Sequence, residues 1–123
     1  METFRHIVFS EGSYLRRLAG SAPSWVDSSG QPDLDDFRAR ADELGSHWDD
    51  YLAPFVDPEK VYLVDAGAYG VRAGVIVAQV LHHGNAHREQ ICSILTSLGI
   101  EAPDIQPWEY AWAAKRIWEA RQI

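Results

Sequence analysis

The stretch RAGVIVAQVLHHGNAHREQICSILTSLG, residues 72–99, is the most informative segment of the chain. Ile76, Val80, His83, His87, Ile91, Ile94 and Leu98 recur in steps of three and four, the spacing that lines up side chains on one face of an α-helix. The periodicity predicts a helix from about Arg72 to Leu98 that buries this stripe. Gly99 follows in the position where a left-handed residue commonly ends a helix.

The same period governs most of the chain. Phe4, Val8, Leu15 and Leu18, with Ile7 and Tyr14 alongside, predict a first helix over residues 3–18 that stops at Gly20. GSAPSWVDSSGQP, residues 20–32, reads as a connecting loop with Trp25 and Val26 folding back on the core. Leu34, Phe37, Ala41, Leu44, Trp48 and Leu52 mark a second helix, and Asp33 to Asp36 place negative charge at its first turn, where the helix dipole favours it. VYLVD followed by AGAYG fits either a short strand and turn or a plain extended approach to the long helix. Pro107 suits a first helical position, and Trp108, Ala111, Trp112, Lys115 and Trp118 follow it as a short aromatic helix that caps the bundle.

At 123 residues, 46% hydrophobic and 24% charged, the expectation is one domain over residues 1–123 with a true core. Its size permits a monomer and leaves association open. Eighteen acidic against eleven basic residues give a formal charge of -7, which repels phosphate backbones and anionic membrane surfaces, so nucleic acid and membrane are not expected partners. The longest apolar run, Ala73 to Ala78, is far short of the ~20 residues of a membrane span. Glu2 directly after Met1 is unlike the start of a secretory leader, and the single Cys92 excludes an internal disulfide. A cytoplasmic protein is the expectation.

The chemistry concentrates in histidine. His83 and His87 are four residues apart on the apolar stripe, so their rings stack one turn apart on a face expected to be buried. Two neutral imidazoles in an apolar seam need partners, and either a shared metal ion or hydrogen bonds within the core would satisfy them. A zincin is disfavoured, because its helix places a glutamate directly after the first histidine and Gly84 stands there. DSSGQPDLDD fails as a calcium loop: Pro32 occupies the glycine position and Arg38 that of the last acidic ligand. His47, beside Trp48, reads as packing or solvent-facing, and Cys92 as a small core residue with no activating neighbour.

QVLHHGNAHREQICSILTSLGIEAPD, residues 79–104, followed by PWEY, resembles the DinB-like (YfiT-like) family of bacterial metal-dependent proteins, whose late helix carries H-x-x-x-H-R-x-Q before an L-x-x-x-G turn and a proline-rich exit. The opening FRHIVFSEGSYLRRL is similar to the family's earlier helix, with its histidine-isoleucine pair. The resemblance implies an all-α, four-helix-bundle-like fold and a divalent metal held by His6, His83 and His87, with coordination positions left open. On a helical wheel His6 lies off the Phe4, Val8, Leu15 stripe and above Ser10 and Ser13, small residues that leave room for a ligand. Relatives usually carry a further helix before the first histidine; here the sequence begins almost on it, so the bundle lacks an element, a second subunit supplies the wall, or the sequence begins late. His82, where relatives often carry asparagine, points about 100° away from His83 and is expected at the surface or behind the ligands. Arg88 and Gln90 match the motif; Arg88 is expected to bond a helix end or an anionic substrate.

The resulting expectation is a metal-dependent enzyme using Lewis-acid chemistry. The resemblance points to transfer of a low-molecular-weight thiol to a small-molecule substrate, because no general base stands near HGNAH. Zinc or nickel suit three imidazoles best, with iron or manganese as alternatives. The rivals are a metal-dependent hydrolase and a non-enzymatic, stress-related helical module in which the histidines stabilise the fold. A homodimer is expected, since Ile7, Phe9 and Tyr14 spread apolar area on the first helix beyond its main stripe.

Overall fold

A computed structural model describes residues 1–117. Helix α1 runs Glu2–Ala19 and ends on Gly20, whose φ of 77° lets its N–H reach the Arg16 carbonyl at 2.9 Å. Helix α2, Leu34–Leu52, starts on a reciprocal cap: the Asp33 carboxylate accepts from the Asp36 N–H at 2.9 Å, and the Asp36 carboxylate accepts from the Asp33 N–H at 3.0 Å. The acidic run that fails as a calcium loop therefore serves to start a helix. Between α1 and α2, Ser24–Asp27 forms a single 3₁₀ turn that turns Val26 inward, as the loop reading anticipated.

The segment left undecided by sequence is a hairpin. Strand β1, Val61–Val64, pairs antiparallel with β2, Tyr69–Arg72, in the register Val61 with Arg72 through Val64 with Tyr69. The turn holds Asp65, Ala66 and Gly67 all at positive φ, a conformation only the glycine adopts without cost. The hairpin feeds directly into helix α3, Ala73–Ser97, and the chain before β1 holds the start of that helix: Ala73 donates to the Lys60 carbonyl at 2.8 Å and Gly74 to that of Pro58 at 2.9 Å. An Arg72–Glu59 ion pair lies alongside.

The chain divides into two compact units, Met1–His87 and a second beginning at Arg88. In the first unit, Val8, Leu15, Phe37 and Leu44 join α1 to α2, with Leu15 fully buried. Leu18, Ala73 and Ile76 form a second cluster between the end of α1 and the start of α3. Trp48 and Tyr51 of α2 pack against both, which makes α2 the strut between them. The Trp48 indole donates to the Glu11 carboxylate at 3.0 Å, so a half-buried ring is held at its polar edge. Burial of these side chains, at roughly 25 cal/mol per Å² of apolar surface, is the main force placing the three helices.

The extra apolar residues of α1 make contacts inside the chain: Ile7 is buried, Phe9 stacks edge-on against Trp25 at 5.6 Å, and Tyr14 packs half-buried against the second cluster. More exposed apolar side chains stand at Leu52, Phe55, Leu63 and Leu81. The expected buried stripe of α3 also ends early, because Ile94 and Leu98 are exposed and Leu98 lies past the helix.

In the second unit α3 closes on Gly99 at φ 73°, with Ile100 donating to the Leu95 carbonyl and Gly99 to that of Thr96, the paired bonds of a Schellman cap. The single cysteine, Cys92, is free and half-buried, with its sulfur 4.0 Å from the Pro103 carbonyl. Helix α4, Pro107–Ala113, opens with proline at its first position as expected but is shorter than the sequence reading. Lys115 takes the left-handed conformation, at φ 54°, and Arg116 bonds back to Ala111, so the same cap geometry stops the helix without a glycine to announce it. Trp118, assigned to that helix from sequence, lies outside the described residues. Among the described residues the fold is all-α apart from the one hairpin, and no helix is long and apolar enough to cross a membrane.

Candidate metal centre

His6 comes from the second turn of α1, and His83 and His87 from the middle of α3. The four-residue spacing does what helical geometry requires, bringing the rings of His83 and His87 to 4.6 Å between centroids. His6 closes the triangle from the other helix, 4.8 Å from the His83 ring and 4.7 Å from that of His87. The contact is direct: His6 Nε2 and His83 Nε2 are 2.9 Å apart. One ligand nitrogen from each residue lies within 4.8 Å of the others.

These distances can be set against what an ion demands. With metal-to-nitrogen bonds of 2.0–2.1 Å, two ligands of a tetrahedral site sit about 3.4 Å apart. The observed spread, from 2.9 Å to no more than 4.8 Å, brackets that value, and the nitrogen donors suit a late first-row divalent metal. His83 and His87 are half-buried while His6 is exposed, so the cluster is reachable from solvent at His6. Burial lowers the pKa of His83, and its neighbours His6, His87 and His82 lower it further, which keeps the ring neutral as a ligand must be. No carboxylate or thiol among the described residues completes the cluster.

Two residues extend the site beyond the histidines. The Tyr14 ring stands edge-on to His83 at 6.0 Å, and its hydroxyl accepts from the Gln79 amide at 3.5 Å. Tyr14 lies two turns beyond His6 on α1, and Gln79 one turn before His83 on α3, so both could have been found by stepping along the ligand faces instead of the apolar ones. Of the remaining histidines, His82 is exposed on α3. His47 is half-buried and lines a cavity of about 660 Å³ with Leu18, Tyr51 and Tyr62, away from the three-histidine cluster. Cys92 is not a member of the cluster.

An α1–α2–α3 scaffold that presents three histidines from its first and third helices defines a helical protein with a candidate metal centre. The chain belongs to the DinB family, whose sequence profile matches residues 1–121. No curated protein and no solved structure matches it.

Proposed function

We propose that the chain is a metal-dependent enzyme in which His6, His83 and His87 hold one divalent ion, zinc or nickel in the first instance, and in which a low-molecular-weight thiol is transferred to a small electrophilic substrate. The observation that carries this is the convergence of three imidazole nitrogens within 4.8 Å from two helices, beside an opening to solvent. A divalent ion bound there supplies Lewis acidity, favouring the ionised form of a thiol or water at neutral pH. The protein's part is to fix the donor geometry. His83 and His87 are spaced by one helix, and His6 is delivered by another that the Leu18, Ala73, Ile76 cluster locks against it.

The lack of a carboxylate in the cluster favours thiol transfer over hydrolysis, because an acidic thiol needs no general base once ionised. The same lack supports the second reading, a non-enzymatic module in which the ion ties α1 to α3. The test is elemental analysis of the purified protein, followed by thiol conjugation to an electrophilic acceptor with and without metal. About one ion per chain and conjugation that requires it are expected; metal without any dependent conjugation selects the module, and no metal retained after reconstitution refutes both readings.

A cytoplasmic homodimer completes the proposal. Leu52 and Leu81 are exposed at the rim of an apolar hollow of about 220 Å³ that Trp48 and Val77 also line, surface a second copy would cover. Sedimentation at micromolar concentration as a monomer would overturn the dimer.

A further inference from the structure

One face of α1 carries more than His6. Ser10, Ser13 and Arg17 follow it at four, seven and eleven residues, which at 100° per residue puts all three within about 40° of its direction. With Tyr14 they line a hollow of about 210 Å³. The hollow adjoins the candidate metal centre through Tyr14, whose ring stands against His83. Its walls are hydroxyls and a guanidinium, with no acidic residue among them.

Arg17 differs from its neighbour. Arg16 spends both terminal nitrogens on the Asp27 carboxylate, at 3.0 and 3.1 Å. Arg17 takes part in neither ion pair found among the described residues. Its guanidinium instead leans back one turn over the Tyr14 ring, 5.8 Å from the centroid. In a chain of net charge -7, a cation outside both ion pairs, lining a polar hollow beside a candidate metal centre, has an anion as its natural complement.

We propose that the ligand of this site carries an anionic tail, a carboxylate, that binds at Arg17 with the Ser10, Ser13 and Tyr14 hydroxyls beside it while its other end reaches the metal. This rests on the metal reading above and narrows it to a class: small thiols ending in an acid. The planar guanidinium matches a carboxylate with two parallel hydrogen bonds, which a neutral hydroxyl end could not use. The Arg17 guanidinium lies 5.8 Å from the Tyr14 ring centroid, which lies 6.0 Å from that of His83. The guanidinium and the His83 ring are therefore no more than about 12 Å apart, a gap that a small molecule can span.

The test uses protein loaded with cobalt(II), whose ligand-field bands report the histidines and whose sulfur-to-metal charge-transfer band reports thiol binding. Omega-mercaptoalkanoic acids and the mercaptoalkanols of equal length are titrated across a series of chain lengths. At the lengths that span the gap the acids should bind about tenfold more tightly, a modest factor because Arg17 is exposed to solvent. Arg17→Gln should abolish that preference and leave the alcohols unaffected, while Arg16→Gln should keep it. If the ligand-field bands form but acids and alcohols bind alike at every length, or if Arg17→Gln retains the preference, the tail site is wrong and the metal centre stands. If the bands never form in the unsubstituted protein, the metal reading fails and this inference fails with it.

Discussion

Removing His6 separates a true three-ligand centre from a pair of stacked histidines on one helix. His6 and His83 are 77 residues apart in sequence and join α1 to α3, so an ion shared between them binds the folded chain in preference to the unfolded one. Free zinc at one hundred times its dissociation constant adds about 2.7 kcal/mol to the stability. A chain of 123 residues has an unfolding entropy of about 0.26 kcal/mol/K, so the midpoint should rise by about 10 °C. Structural zinc sites with four ligands bind with roughly 10–16 kcal/mol, or about 3 kcal/mol per ligand, so His6→Ala should weaken binding by about two orders of magnitude. At the same free zinc the variant is then about half occupied, gains about 0.4 kcal/mol and shifts by only about 1.5 °C. The assay is thermal unfolding followed by circular dichroism in chelator-buffered zinc, with His82→Ala and His47→Ala keeping the full shift. A wild-type protein that does not shift, or a His6→Ala variant that shifts as far, would refute the assignment of His6.

Packing and ionisation give two further expectations. Gly12→Ala and Gly45→Ala both gain about 1 kcal/mol of helix propensity, but a Cβ at Gly12 would sit 2.5 Å from a Val26 methyl, whereas nothing lies within 4 Å of one at Gly45. Val26 is stiff at χ1 and buried, so urea unfolding should find Gly12→Ala less stable than Gly45→Ala by about 1–3 kcal/mol; equal stabilities would contradict the close approach of α1 to the 3₁₀ turn. Tyr51 is pushed up to about 12, by burial first and by the Tyr62 hydroxyl second. The folded chain therefore holds that proton more tightly than the unfolded chain, and this contribution to stability is complete below pH 10 and is lost as pH rises from 10 to about 12. Tyrosinate absorbance should show one late-ionising tyrosine that Tyr62→Phe brings back toward 10, and an unchanged titration in that variant would exclude Tyr62 as a cause.

The fold was legible wherever apolar period and cap chemistry agreed. Helix α2 begins at Leu34 and ends at Leu52, the span read from its stripe, because Asp33 and Asp36 cap it with their own side chains. The hairpin was not decidable, since a four-residue strand such as VYLV gives too few alternations to separate pairing from mere extension, and its partner YGVR is held chiefly by backbone bonds that carry no side-chain signal. The end of α4 was missed for a related reason. Its stop is a left-handed Lys115, and lysine does not signal that conformation as glycine does at residues 20 and 99.

The site divides along the same line. His83 and His87 could be read from spacing because they lie on the stripe that also builds the helix. His6 could not, because it stands off the apolar stripe of α1 and is exposed, and only the family resemblance singled it out. That position is what a binding residue requires. A ligand on the packed face of α1 would be sealed by Val8, Leu15 and α2, while one on the polar face stays open to a substrate. The rule then extends past the metal: Ser10, Ser13 and Arg17 contribute nothing to the hydrophobic period, so a search for core positions passes over them. Yet they share the direction of His6, and the helix that uses one face to fold has the other left for chemistry.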